Sequence, residues 1–153
     1  MSLTDIEIRR AIPSDAEKIA SAEKIIFTDP WSERDIFSSI CDEGSMCYTA
    51  LSDGEVVAYI IGKIIAPEGE IYRIATLPSK RREGISRRLL DFAIKNEMAC
   101  GLEVVFLEVR EKNLPARSLY TSYGFTETGI RNKYYKNPCD NAILMTYRRS
   151  ADL

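Results

Sequence analysis

Three short segments carry groups able to do chemistry. The first is Arg81-Arg82-Glu83-Gly84-Ile85-Ser86-Arg87-Arg88, where a strand-like run ending at Leu77 gives way to a helical pattern. Backbone N–H groups at a helix start are unpaired, and the helix dipole favours an anion there. Gly84 lets the main chain come close to a ligand, and the arginines suit a pyrophosphate; a solvated helix start reads the same residues as well. The second is Glu108 within Val104-Val105-Phe106-Leu107-Glu108-Val109, an apolar run that reads as a strand buried on both faces. Burial disfavours a charged carboxylate and raises its pKa, as a general base requires. The alternative is an ion pair with an arginine such as Arg73 on a neighbouring strand. The third is Asn113 to Phe125, in which Leu119, Tyr120 and Tyr123 share a helix face. Tyrosines so spaced serve either as proton donors or as core residues with satisfied hydroxyls.

Composition narrows the choices. The chain has 153 residues and no histidine. That removes Ser-His-Asp and Cys-His catalysis and histidine-bound zinc. Cys41, Cys47, Cys100 and Cys139 form no CxxC pair, so no zinc ribbon or thioredoxin-like motif is present, and four reduced, mostly buried thiols are expected. No metal is expected. The net charge of -2 argues against a direct nucleic-acid partner. The start MSLTDIEIRR has no apolar core and reads as no secretion signal, and no run is long enough to span a bilayer. A soluble, cytoplasmic protein of one domain over residues 1–153 is expected.

The elements that must position these segments follow from periodicity. Ile6 to Arg9 alternates as a strand. Pro13-Ser14-Asp15 caps a helix through Ile19, Ala20, Glu23 and Phe27, and Ser32 with Asp35 caps a second with Ile36, Phe37 and Ile40 on one face. Met46 to Leu51 and Glu55 to Ile65 are strands joined by Asp53-Gly54, a strong hairpin signal. Glu70 to Leu77 is the next strand. Ile85, Leu89, Phe92, Ala93 and Met98 mark a helix stopped at Gly101, and Val104 to Val109 follows as a strand. A helix opens at Asn113-Leu114-Pro115 and closes at Gly124; Phe125 to Tyr135 and Ala142 to Arg148 end the chain as strands. The order is β-α-α-β-β-β-α-β-α-β-β, with the helix at 85–99 crossing over between parallel neighbours. The class is a mixed α/β (α+β) sheet.

These segments, in this order, resemble the GCN5-related N-acetyltransferase (GNAT) superfamily. The glycine loop is similar to its (Q/R)-x-x-G-x-(G/A) pattern, and Asn113...Ala116...Leu119-Tyr120...Gly124-Phe125 to its second motif. Thr28-Asp29-Pro30-Trp31-Ser32, Leu107-Glu108-Val109-Arg110 and Arg131-Asn132-Lys133-Tyr134-Tyr135 are similar to the RimI-type branch, whose members acetylate the N-terminal alanine of a small-subunit ribosomal protein. The resemblance implies about seven strands and four helices, with the sheet splayed between the strands at 70–77 and 104–109. It implies acetyl-CoA as co-substrate, Glu108 as general base and Tyr120 as general acid. It gives the backbone of Ile74, Ala75 and Thr76 to the pantetheine arm and Arg81, Arg82, Glu83, Gly84, Ile85, Ser86 and Arg87 to the pyrophosphate. Asn113 meets the coenzyme, and Trp31, Tyr134 and Tyr135 flank the acceptor.

Two departures matter. Ser86 stands where Gly or Ala is usual; it crowds the backbone but offers a hydroxyl to a phosphate. Lys136 to Asn141 is shorter than in enterobacterial members of that branch. The implied activity is acetyl transfer to a protein or peptide N-terminus, a ribosomal protein among the candidates, by a monomer or weak dimer. The alternatives are acetylation of a small amine, such as a polyamine or an amino acid, and a non-catalytic module that holds coenzyme A.

Overall fold

The chain alternates between segments of period two and segments of helical period, and a computed structural model describes residues 5–150 of the result. Met1–Thr4, in the segment read above as no secretion signal, and 151–153 lie outside the described residues. The strands are β1 (Ile6–Arg10), β2 (Tyr48–Ser52), β3 (Glu55–Ile65), β4 (Glu68–Thr76), β5 (Val104–Arg110), β6 (Thr126–Lys136) and β7 (Cys139–Arg148). The α-helices are α1 (Asp15–Ile26), α2 (Glu33–Cys41), α3 (Ile85–Met98) and α4 (Leu114–Tyr123). One sheet has the order β1-β2-β3-β4-β5-β7-β6. Among the described residues only β4 and β5 pair in parallel, and α3 connects them as expected. The mixed seven-stranded sheet with four helices is the fold the sequence implied.

Local signals mostly hold. Asp53 and Gly54 both have positive φ (51° and 79°), the conformation that a two-residue hairpin of matching twist needs. Ser32 caps α2 by accepting the Asp35 N–H at 3.1 Å. Asn113 caps α4 by accepting the Ala116 N–H at 3.2 Å. At α1 the capping differs from expectation. Ser14 makes no side-chain cap; Asp15 accepts the Ile12 N–H at 2.8 Å and two hydrogen bonds from Arg9. Phe37 and Phe92, assigned to buried helix faces, are 48% and 42% exposed. Cys41, Cys100 and Cys139 are exposed and only Cys47 is buried, which corrects the expectation of mostly buried thiols; all four are free.

Two apolar clusters cover the two faces of the sheet. One gathers α3, Tyr120 and Phe125 against Tyr48, Ile60, Ile71, Val105 and Leu107. The other packs Ile19 and Ile36 of α1 and α2 against Tyr59, Ile61 and Ala75. Packed in this way, the sheet opens where its own pairing fails.

It fails in one place that matters. The β4–β5 ladder runs from Glu68↔Val104 to Ile71↔Leu107 and stops there. On its other side, β4 stays paired to β3 as far as Thr76. The register with β3 shifts between Ile61↔Arg73 and Gly62↔Ile71, so Tyr72 is an extra residue on β4. A bulge bends its strand and increases the local twist, and here it turns the end of β4 away from β5. Gly62 faces this bulge. A Cβ there would lie 2.6 Å from the Glu70 carbonyl oxygen and 3.2 Å from that of Met46.

Candidate active site

Two adjoining cavities open where β4 and β5 part. The smaller holds about 320 Å³ and is lined by Ile74, Glu108, Asn113, Ala116 and Tyr120 among others. The second holds about 630 Å³ and is lined by Trp31, Arg131, Tyr134, Lys136 and residues shared with the first. Glu108, Arg73, Arg110 and Tyr135 line both, so they stand at the junction.

Glu108 is the first β5 residue beyond the last β4 pair, and its side chain is 22% exposed. The strand is therefore not buried on both faces. Val105, Leu107 and Val109 are buried, while Phe106, Glu108 and Arg110 on the other face are partly open. Its ion-pair partner is Arg131 of β6, with Nε 3.3 Å from Oε1. Arg73, offered as a partner on sequence grounds, pairs instead with Glu23 of α1 and Asp29.

Tyr120 is 5% exposed and lines the smaller cavity. Burial, then neighbouring Tyr135, raises its pKa, so it stays protonated at neutral pH. Tyr135 is also shifted up, by burial first and then by Glu108. A bulge places Tyr135. Between Arg131↔Ala142 and Tyr135↔Asp140, β6 spends two more residues than β7, and Lys133 takes φ 53°. The Asn141 side chain holds this turn by accepting the Lys133 N–H at 2.8 Å. Tyr134 and Tyr135 then meet edge to face with centroids 5.1 Å apart, and the Arg110 guanidinium lies 4.2 Å over the Tyr135 ring.

The glycine loop lies outside both cavities, at the N-terminus of α3. Gly84 is the cap residue at φ 75° and supplies no side-chain bond, so the first-turn N–H groups face outward. Arg81, Arg82 and Arg87 are exposed, while Ile85 is buried beneath them. Arg87 donates to Ser122 at 3.1 Å. The Ser86 hydroxyl shares a hydrogen bond with Thr76 at 2.6 Å, which ties the loop to the end of β4 rather than aiming at an anion. Leu77 N–H bonds the Val57 carbonyl. By alternation along the strand, the peptide groups of Ile74 and Thr76 face the gap and those of Ala75 face β3.

Glu108, Tyr120, Ile74, Asn113, Trp31, Tyr134 and Tyr135, all site candidates from the sequence, line the cavities. Arg110, Tyr72 and Glu23 carry no such expectation. Glu23 had a signal: a carboxylate on the apolar face of α1, four residues after Ile19.

The mixed seven-stranded sheet with four helices, parted at its parallel pair, matches the fold of solved N-acetyltransferases. The profile of the acetyltransferase (GNAT) family matches residues 16–125, and the chain belongs to that family as an N-acetyltransferase. It is 35% identical over 118 residues to the ribosomal protein bS18-alanine N-acetyltransferase of Escherichia coli strain K12, covering 76% of this chain and 79% of that protein. The crystal structure of the ribosomal-protein-S18-alanine N-acetyltransferase from Escherichia coli matches with TM-score 0.87 and 28% identity, over 97% of this chain and 98% of that one. Ard1 from Thermoplasma volcanium matches with TM-score 0.86 and 25% identity, over 95% and 99%. No helix among the described residues is long and apolar enough to cross a membrane.

Proposed function

We propose that this protein transfers the acetyl group of acetyl-CoA to the α-amine of a protein N-terminus, with the N-terminal alanine of a small-subunit ribosomal protein as its acceptor. The observation that carries this reading is the parting of β4 and β5 beyond Ile71 and Leu107, with Glu108 facing both cavities. The similarity to ribosomal protein bS18-alanine N-acetyltransferases supports the acceptor class. The unit is read as one domain over residues 1–153, cytoplasmic, monomeric or weakly dimeric, with no direct nucleic-acid or membrane partner.

The donor site fits its ligand. The uncapped start of α3 behind Gly84, with Arg81, Arg82 and Arg87 around it, offers N–H groups and positive charge to a pyrophosphate. Ile74 and Thr76 offer peptide groups to a pantetheine arm in the gap, and Asn113 borders it. In the acceptor site Trp31, Tyr134 and Tyr135 flank the amine.

A free α-ammonium has a pKa of about 8, so deprotonating it at pH 7 costs roughly 1.4 kcal/mol, against about 4.6 for a lysine. Glu108 accepts this proton. The amine nitrogen then bonds the acetyl carbon, the carbon–sulfur bond breaks, and the thiolate leaves under a hydrogen bond from the Tyr120 hydroxyl; the nitrogen sheds its second proton as the amide forms, and the thiolate takes up that proton to become the thiol. Peptide N–H groups of β4 in the gap meet the negative charge on the carbonyl oxygen.

The test is thiol release with a panel of N-terminal peptides, polyamines and amino acids. Peptides beginning with alanine should give the highest kcat/KM, and a preference for polyamines would overturn the acceptor reading. Glu108→Gln should lower kcat by about a hundredfold or more, with acetyl-CoA affinity by calorimetry unchanged. Full activity of that variant would remove Glu108 as the base. An absence of binding heat with acetyl-CoA would remove the donor.

A further inference from the structure

Glu23 is a buried carboxylate that this reaction does not use. It stands on α1 at 0% exposure, and three donors converge on it. The Tyr59 hydroxyl of β3 donates at 2.5 Å, the Trp31 main-chain N–H at 2.9 Å and Arg73 Nε of β4 at 3.2 Å. Arg73 reaches further. Its Nη2 donates to the Asp29 carbonyl at 2.8 Å, and its guanidinium lies 3.7 Å over the Phe27 ring. One carboxylate thus fastens the segment 27–31, which joins α1 to α2, to the bulged part of β4. Trp31 in turn lies against Tyr72, the extra residue of that bulge, with ring centroids 6.1 Å apart.

An uncompensated buried charge is strongly destabilising, whereas one with its lone pairs filled is tolerated. Glu23 is filled, and two of its three bonds run to the wall of the acceptor cavity: Trp31 and Arg73 line it, while Tyr59 does not. We propose that Glu23 is a positioning residue of the acceptor site, which holds the Phe27–Trp31 lip against β4 through Arg73 and the Trp31 main chain and so sets acceptor affinity far more than donor affinity. The inference rests on the reading that the larger cavity receives the acceptor.

The test uses the full chain with Glu23→Gln, which keeps the shape and an acceptor oxygen but loses the charge that orients Arg73. Acceptor KM should rise about tenfold or more, while acetyl-CoA KM and kcat stay within about twofold. Trp31 is the only tryptophan, so its emission reports the lip directly. It should shift to the red and become easier to quench. Two further variants keep the test decisive if Glu23→Gln does not fold. Arg73→Met should reproduce the acceptor KM effect. Tyr59→Phe removes a Glu23 partner remote from the cavity and should lower thermal stability without moving acceptor KM. Equal acceptor KM effects from Tyr59→Phe and Arg73→Met would overturn the inference, as would an unchanged KM in a folded Glu23→Gln. The underlying reading fails separately: wild-type Trp31 emission would then not respond to an acceptor peptide.

Discussion

Removing the Tyr120 hydroxyl should slow turnover by about ten- to a hundredfold and leave the fold intact. Burial holds the Tyr120 pKa above its ordinary value of 10.0. The thiol of the leaving group has a pKa of about 8.5, so full proton transfer from tyrosine to thiolate is uphill by more than about 2 kcal/mol. In the proposed mechanism Tyr120 therefore acts on the leaving group chiefly as a hydrogen-bond donor. A hydrogen bond to a charged group is worth about 1.5–3 kcal/mol, which gives the fold-change stated. Tyr120→Phe keeps the ring and its packing on Phe125, whose centroid is 5.7 Å away. The assay is thiol release at saturating acetyl-CoA and peptide, with a thermal melt in parallel. Because the shift is upward, Tyr120 should add no descending limb to the pH–rate profile below about pH 10. A loss beyond about a thousandfold would show that proton transfer, not hydrogen bonding, limits the step. An unchanged rate, or a variant that unfolds readily, would return Tyr120 to the core.

Two further outcomes follow from the fold. Gly62→Ala should cost roughly 3 kcal/mol and lower Tm by about 6–12 °C, because its Cβ would meet main-chain oxygens of Glu70 and Met46. Gly54→Ala, at φ 79° but with nothing within 4 Å, should cost only about 1–2 kcal/mol; equal losses by calorimetry would contradict the close-approach account. The second outcome concerns alkaline pH. Tyr48, Tyr59, Tyr120 and Tyr123 all have raised pKa values, with burial the largest cause for each. Unfolded tyrosines ionise near 10, so above that pH the folded state binds more protons than the unfolded one. Stability should be intact below about pH 10 and fall as pH rises beyond it. Urea midpoints that stay flat up to the alkaline limit would refute this.

Many of the elements around the candidate site were readable because their signals are local. The Asp53-Gly54 turn, the Ser32 cap and the Asn113-Leu114-Pro115 helix start each rest on residues close in sequence. The motif around Gly84 and the pair Glu108 and Tyr120 were equally plain. Other features depend on residues far apart. Glu108 was offered Arg73 as a partner because both sit on neighbouring strands, yet Arg73 is taken by Glu23 from α1 and Arg131 arrives from β6. Phe92 looked like core by spacing, but lies at the edge of the buried face and meets the ring of Tyr48 from outside. Gly62 within an apolar strand was a readable mark of a bulge, although nothing nearby showed which strand would bend.

The order of elements, the parallel crossover through α3 and the residue types at the fork are properties of the sequence by itself, since periodicity, caps and turn chemistry act over a few residues. Where the sheet opens is a tertiary decision. It depends on a one-residue slip at Tyr72 that only the β3–β4 register can express, and on β5 keeping unbroken register with β7 where its pairing with β4 ends. The partners of each charge are decided the same way. A guanidinium goes to whichever carboxylate the packing of distant elements brings within about 3 Å, and no local pattern encodes that distance.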